Sequence, residues 1–523
     1  MRTRCGYLHD WHKLWPWLAL TAITLLLALL VNGLRTRTLA SERPYESAAI
    51  LAALDSPSAN SQPWSLQPAI SRRLILAFGR LLPCASRSSG LATLSECAFL
   101  ASFFILALTQ ALLTENGMAY LNVRLVALWS VSLLIFTSQT FLSHAAVADS
   151  EGGGYLLTTV LLYFGVLWTR HDSTTAMIGW LVASLLLPLL HFYGAVCVVA
   201  SNTGMALIGW RKSSAKGTIC IALAGLGIVA CELFLDATLW PTENPRLADS
   251  YWAIASLDVG SGPPLWRIWL ETTFLWFDLP MYSMLVQFFI LCVATYLLLL
   301  GNSTAAWISA SSLLTIALIC LSEKISNGDC LIPHHSGPII ITLSLVVSAW
   351  LSAIRWSLFH VLWTITLVTL LILPAIVAVS TTSFQNKATL EEVAAHLHSR
   401  AHGASRVVFG GSRCYLLCLP FLNDELRAKA FAYLRAGTYP DNFAGRILIP
   451  EERRLNATDI ENLYDQPIIY VQLEAAQSVF IDTKGWRVTA IEIVPHNCYS
   501  IGDIEILSLM PKEPSSDNAT TLP

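Results

Sequence analysis

The sequence predicts a mainly α, polytopic membrane helix bundle of about 11 transmembrane helices, with a small extracytoplasmic α/β domain at its C-terminus. Three observations predict it. Hydrophobic residues make up 54% of the 523 residues and charged residues only 13%, with a mean hydropathy of +0.57. A soluble chain carries about 25% charge. Second, apolar runs long enough to cross hydrocarbon recur as far as residue 379. Third, the composition turns polar and mixed after Ser380. The same figures exclude a purely soluble enzyme, a disordered chain and a collagen-like one. A formal net charge of −3 gives no case for nucleic acid, and 12 Cys in this length is no disulfide scaffold.

A spanning helix needs about 20 mostly apolar residues at 1.5 Å each. The runs are 15–34, 94–113, 123–142, 155–169, 176–190, 191–209, 217–236, 281–300, 304–321, 337–354 and 357–379. Residues 176–209 read as one long helix or two; Pro188 and the polar His191 favour a break. The first run is longer than a signal peptide's apolar core and no small-x-small site follows it, so it reads as a retained span.

Lys and Arg set orientation. With the N-terminus cytoplasmic, Arg2, Arg4, Lys13, Arg124, Arg170, Arg211, Lys212, Lys216 and Arg355 fall inside. Arg246, Arg267 and Lys324 fall outside, together with the arginines of the long first loop, which obeys the rule poorly. An odd number of spans places the C-terminal domain outside. The domains are 1–382, the membrane part with a large outer loop at 35–93; 383–512, the α/β domain; and 513–523, a polar tail.

In the α/β domain, TLEEVAAHLHSRAHG reads as an amphipathic helix and RVVFGG as a strand. NDELRAKAFAYLRAG reads as one helix, capped by Asn423 or Asp424 and ended by Gly437. RILIP, PIIYVQL, WRVTAIEIV and IEILSL read as strands.

Chemistry gathers in the outer loops. The first loop holds Glu42, Glu46 and Asp55, and the stretch SLQPAISRRLILAFGRLL. There Leu66, Ile70, Leu74, Phe78 and Leu81 recur at helical spacing, which reads as a helix in the membrane interface or packed on the bundle. The second loop, SHAAVADSEGGGY, pairs Asp149 with Glu151 before three glycines and Tyr155. Two carboxylates at i and i+2 converge if glycines make the backbone irregular, and such oxygen donors suit Mg²⁺ or Mn²⁺. Nothing else in the sequence asks for a cofactor. The region 236–280 is rich in Trp and Tyr, as membrane interfaces are; a lipid or sugar platform is the sharper reading. His144, His191, His334 and His335 also gather towards this side, without zinc spacing. Cys84, Cys330, Cys414, Cys418 and Cys498 would lie outside, where Cys414 or Cys418 could pair with Cys498. Sequons stand at Asn302, Asn456 and Asn518. No P-loop, G-x-G-x-x-G or G-x-S-x-G occurs.

This arrangement resembles the glycosyltransferase C superfamily, polytopic enzymes that use lipid-linked sugar donors. Within it the chain resembles the dolichyl-phosphate-mannose-mannosyltransferase-like and lipopolysaccharide-core transferase-like bacterial members. The resemblance covers about 15–355. It rests on the first span, the large outer loop with early acidic residues and an interfacial helix, and two local stretches, VADSEGGGYLLTTVLLYFGVLW and LLPLLHFYGAVCVVAS. The chain departs from the pattern twice. The family's Asp-Glu after the first span is Ser41-Glu42 or Tyr45-Glu46 here, and the Arg before the second motif's Tyr is Gly153 or Gly154.

The resemblance implies inverting transfer from a polyprenyl-phosphate donor to a glycan, lipid or protein acceptor, in an integral, multi-pass protein of the bacterial inner membrane. A carboxylate must take the acceptor's proton, and positive charge must stabilise the departing lipid phosphate. Glu42 is the implied base, with Glu46 as alternative. Arg43, Arg72 and Arg73 would hold the phosphate. Asp149 and Glu151 would bind acceptor or metal; Tyr155, His191 and His335 complete the candidate set. A transporter or flippase for lipid-linked glycans, which would need polar residues lining the spans, and a non-catalytic envelope-assembly protein are the competing classes.

Overall fold

The computed structural model describes residues 4–37, 87–114, 123–138, 151–209, 280–300, 302–325, 337–353, 387–400, 404–411, 418–434, 451–473, 485–495 and 503–512, with isolated residues between them. They fall into two compact units, a helical one of Met1–Leu34 and Ser65–Thr382 and a second one of Arg35–Trp64 and Ser383–Pro523, whose later part is α/β.

The helical unit contains α1 (Arg4–Arg37), α2 (Arg87–Leu113), α3 (Val123–Phe136), α4 (Glu151–His171), α5 (Thr174–Leu190), α6 (Phe192–Gly209), α7 (Pro280–Leu300), α8 (Ser303–Ile325) and α9 (Gly337–Ala353). Among the described residues four stretches are long and apolar enough to cross a membrane: Leu14–Asn32, Thr93–Leu113, Gly152–His171 and Ser303–Leu321. Leu25, Leu26, Leu29, Leu285 and Leu299 point outwards from the bundle, as side chains facing lipid do.

The expected break falls at His191. Its extended backbone, φ −150° and ψ 127°, ends α5, and α6 starts at once. Pro188 sits inside the last turn of α5 and does not make the break itself. The expected span 123–142 is a 14-residue helix that stops at Phe136. The Thr137 hydroxyl there turns back to the Leu134 carbonyl, and Ser138 N–H bonds Ile135. Of the spans at 217–236 and 357–379 only scattered residues are described. Those at 223, 225–227 and between 362 and 376 are helical.

The bundle interlocks through glycines that admit bulky rings. A Cβ built on Gly165 of α4 would fall 2.1 Å from the Trp307 ring of α8. Trp307 Nε1 in turn donates to the Ser201 carbonyl at 3.2 Å, and Trp129 Nε1 to the Ala107 carbonyl at 3.2 Å. The interior is less apolar than the sequence suggests. Gln110, Asn202, Gln287 and many Ser and Thr are buried between helices, although no buried Asp, Glu, Lys or Arg stands among the described residues. Gln110 Nε2 donates to Ser132 and, at 2.9 Å, to Ser348, tying α2 to α3 and α9. One end of the bundle is marked by two arginines on helix C-termini. Arg124 Nη1 lies 3.5 Å from the Ser352 carbonyl, and Arg170 Nη2 3.5 Å from that of Thr114.

In the α/β unit, α10 (Lys387–Arg400), β1 (Arg406–Gly410), α11 (Asp424–Lys429), β2 (Ala430–Tyr433), β3 (Arg454–Leu455), α12 (Ala457–Glu461), β4 (Ile468–Leu473), β5 (Trp486–Val494) and β6 (Ile504–Pro511) build one sheet of order β3-β2-β1-β4-β6-β5. The first four strands in that order are parallel; β6 and β5 are antiparallel additions. The helix expected over NDELRAKAFAYLRAG is only six residues long. Asn423 caps it, accepting from Leu426 N–H at 2.9 Å. AFAY then becomes β2, alternating buried and half-buried beside β1, so sheet pairing overrides the helical period. Of the expected strand RILIP only Ile449 is described, in a bend. Asn302 and Asn456, two of the sequons, are helix N-caps: Asn302 Oδ1 accepts from Ala305 N–H, and Asn456 forms a capping box with Asp459.

Candidate functional site

The site is built at the end of the bundle opposite the Arg124 and Arg170 caps. Here α4 begins with Glu151-Gly152-Gly153-Gly154-Tyr155. The glycines do not make an irregular backbone, as the sequence led one to expect; they form a regular helical turn. Their use is close approach. A Cβ on Gly152 would stand 2.8 Å from the Ser95 carbonyl oxygen of α2, and one on Gly154 2.4 Å from Cδ2 of His191. Among the described residues nothing lies within 4 Å of a Cβ built on Gly153. Among the described residues, Gly153 thus has room for a side chain, whereas the His191 ring fills the space at Gly154.

His191 is buried. Its backbone N–H bonds the Leu187 carbonyl at 3.0 Å, and its Nδ1 accepts from the Gly194 N–H at 3.3 Å. Acceptance at Nδ1 leaves the neutral ring's proton on Nε2. Tyr155 is fully buried. Its ring packs against Phe141 at 5.0 Å between centroids, and Phe141 stacks on Phe136 at 4.7 Å. The Tyr155 ring also stands against Gly337, the first residue of α9, where a Cβ would fall 1.9 Å from Cε1. Glu151 is the first residue of α4.

Three stretches singled out in the sequence thus meet at one end: the Glu151–Tyr155 turn, His191, and the start of α9, two residues after His335. Glu42, Glu46, Arg43, Arg72, Arg73, Asp149 and His335 themselves lie outside the described residues, as do His144, His334, Cys84, Cys330, Cys498 and the Trp-rich region. Of the proposed interfacial helix, Leu74, Ala77, Arg80 and Leu81 are described; they are helical, and Leu74 and Leu81, seven residues apart on one face, are exposed. Among the described residues no three His, Cys, Asp or Glu side chains gather as a metal site. Gly337 and Ser95 escaped the sequence reading. A glycine run opening a long apolar helix was the available signal of close approach.

In the α/β unit Cys414 and Cys418 are both buried and unbridged. Burial pushes the Cys414 thiol well above the ordinary thiol range, with Cys418 beside it adding to the shift; its Sγ donates to the Val471 carbonyl at 3.5 Å. Burial likewise pushes the Tyr415 phenol up to about 12, against the pull of Arg453.

A polytopic helix bundle carrying its candidate groups at one end, joined to a parallel-sheet α/β unit, is the class that this fold and site define. The apo crystal structure of ArnT from Cupriavidus metallidurans shares that fold with a TM-score of 0.57 and 11% identity, over 93% of this chain and 97% of that one. The structure of the same protein bound to undecaprenyl phosphate matches with a TM-score of 0.56 and 10% identity, over the same shares. The fold implied by the resemblance to the glycosyltransferase C superfamily is thereby borne out. No protein-family model and no curated protein matches the sequence.

Proposed function

We propose that the chain is an integral membrane glycosyltransferase that moves a sugar, hexose or pentose, from a polyprenyl-phosphate donor to a glycan, lipid or protein acceptor, with inversion. The observation that carries this reading is the shared fold over nearly the whole of both chains. ArnT has been captured with undecaprenyl phosphate, and we assign a donor of that class here. The convergence of the Glu151–Tyr155 turn, His191 and Gly337 supports a site at one end of the bundle. The lack of buried charge among the described residues supports transfer over ion-coupled transport. We place the N-terminus in the cytoplasm, the α/β unit outside, and the protein in a bacterial inner membrane.

In the proposed reaction a carboxylate, Glu42 or alternatively Glu46, takes the proton of the acceptor hydroxyl as its oxygen attacks the anomeric carbon from the face opposite the phosphate. The C–O bond to phosphate breaks and the pair leaves with the lipid phosphate, held by Arg43, Arg72 and Arg73. The phosphate is a weak base, so no general acid is needed. Asp149 and Glu151 orient the acceptor or hold Mg²⁺ or Mn²⁺, for which their oxygens are suitable donors. Tyr155, His191 and His335 shape the same end.

Glu42→Gln and Glu46→Gln, assayed separately for transfer from a polyprenyl-phosphate sugar at matched protein level, test the base. One should lose activity by about 10²-fold or more; full activity in both removes the base. Transfer by the Asp149→Asn, Glu151→Gln double variant should no longer respond to added Mg²⁺ or Mn²⁺. Undiminished wild-type transfer in chelator sinks the metal.

A further inference from the structure

The α/β unit gathers arginines towards the amino ends of its parallel strands, and the reaction proposed above uses none of them. Arg406 opens β1 and is half-buried. Val408, two residues on, pairs with Phe431 of β2, so the period of two puts Arg406, Val408 and Phe431 on one face. On the other side of β2, Arg454 of β3 pairs with Ala432, which brings the half-buried Arg453 beside Phe431 as well. Both arginines meet the same ring. The guanidinium carbon of Arg406 stands 4.7 Å from the centre of the Phe431 ring, and that of Arg453 5.3 Å.

A ring attracts a cation through its quadrupole but carries no net charge to neutralise one. The two guanidinium carbons are at most about 10 Å apart, so two like charges are held close together. Elsewhere in the unit basic groups take acidic partners: Arg400 holds Glu492 at 2.9 Å and Lys429 holds Glu425 at 3.2 Å. Among the described residues neither Arg406 nor Arg453 has a carboxylate partner, and the exposed Glu452, next to Arg453 in sequence, forms no ion pair there. Arg453 Nη1 donates to the Ala428 carbonyl at 2.5 Å, which fixes its fork. Among the described residues Arg406 contacts the ring alone. Arg427 and Arg454 give their Nε protons to the Leu419 and Ile449 carbonyls and add positive charge to the same part of the unit.

Two converging guanidiniums without a carboxylate call for an anion from outside the chain. A phosphate monoester carries a charge of about −1.5 to −2 near neutral pH, close to that of two arginines, whereas a carboxylate matches only one. Each planar fork donates to phosphate oxygens at about 2.7–2.9 Å, and the ring fixes where both forks stand. We propose that Arg406 and Arg453, seated on Phe431, bind a phosphate group, borne by a lipid headgroup or by a soluble sugar phosphate. The site binds and makes or breaks no bond. It does not rest on the transferase function proposed above, whose donor phosphate is assigned to Arg43, Arg72 and Arg73.

The test titrates the full chain in detergent with inorganic phosphate and with D-glucose 1-phosphate, read by ³¹P NMR. Wild-type protein should bind at least one of them. Arg406→Gln and Arg453→Gln should each weaken that binding about tenfold or more, the factor for ~1.4 kcal/mol. Arg406→Gln removes only a ring contact, so its melting temperature should stay near that of the wild type and its binding can be read even if Arg453→Gln unfolds. No binding by the wild type, or equal binding by a folded Arg406→Gln, overturns the proposal. Repeating the titration in the Arg72→Gln, Arg73→Gln double variant separates the two phosphate sites. Binding that disappears there and persists in Arg406→Gln overturns this site and leaves the donor site standing; binding that persists there and falls in Arg406→Gln supports this site whatever becomes of the transferase. Nanodiscs of phosphatidylcholine with and without phosphatidic acid then name the source. Loss of soluble phosphate binding only with phosphatidic acid supports the site as one for a lipid headgroup, and unchanged binding supports it as one for a soluble phosphate.

Discussion

The two units place the same residue types in opposite positions. In the helical unit leucines such as Leu29 and Leu299 are exposed, while Gln110, Asn202 and a series of Ser and Thr are buried. In the α/β unit Val407, Phe409, Ile469 and Val471 are buried, and the described ion pairs lie near the surface, with Glu492 of β5 taking His396 Nδ1 at 2.8 Å and Arg400 Nη2 at 2.9 Å from α10. One unit is sorted by hydrocarbon and the other by water. In the first, packing must hold helices together without a hydrophobic drive between them, so small residues and inward polar groups do that work. In the second, apolar burial drives assembly and polar contacts adjust it.

The largest effect expected from this contrast is at the close approaches. Gly337→Ala and Gly154→Ala insert a methyl where the Tyr155 and His191 rings already stand. Each should cost about 1–3 kcal/mol and lower the melting temperature of the purified protein. Normal melting of both would mean that the rings move aside, and the convergence at this end would lose its support.

Polar-to-apolar replacement should have opposite signs in the two units. Among the described residues both amide atoms of Asn202 are buried without a hydrogen-bond partner beside Gly225, so Asn202→Leu should raise stability by about 1 kcal/mol. Glu492→Leu takes their shared carboxylate from His396 and Arg400 and should cost up to about 1 kcal/mol. Thermal unfolding of both variants in one detergent checks the pair; a loss at Asn202 would show that its amide has a partner under working conditions.

The legibility of the sequence followed the same division. Apolar runs of about 20 residues were readable because hydrocarbon thickness alone dictates them. Among the strands from Ile468 onward, β4 was readable from its β-branched and aromatic run and β5 and β6 from local alternation. The end of α11 was not. Ala430–Tyr433 continues a helical period, and only the neighbouring β1, distant in sequence, makes it a strand. Gly152–Gly154 misled for a similar reason, since the need for glycine comes from Ser95 and His191 rather than from the local backbone. The candidate carboxylates and arginines of the first loop were read from residue type and resemblance alone, and their arrangement stays a proposal.

A smaller effect concerns pH and belongs to the α/β unit. The Tyr415 phenol is pushed from an ordinary 10.0 to about 12 by burial. Below pH 10 it is protonated in both folded and unfolded chains and contributes no pH dependence. Between pH 10 and 12 the unfolded chain releases the proton and the folded chain keeps it, so the unfolded state binds fewer protons and stability falls as pH rises, by roughly 1 kcal/mol per pH unit. The shifted Cys414 thiol adds a fall of the same sign beginning near pH 9. Tyr415→Phe should flatten the part of the curve above pH 10, measured by denaturant unfolding; an unchanged slope would place the titration elsewhere.

The smallest effect is the one that isolates Gly153. It sits in the same helical turn as Gly154, one residue away, yet among the described residues nothing lies within 4 Å of its absent Cβ. Gly153→Ala therefore carries no steric cost and gains helix propensity, about 0.5–1 kcal/mol in favour of the folded state. Gly154→Ala, identical in chemistry, should move the melting temperature the other way. If the two alanines act alike, the glycines are wanted for backbone freedom after all, as the sequence alone suggested. Opposite signs mean that each glycine is set by what packs on it, so that the His191 ring, and not the helix itself, excludes a side chain from position 154.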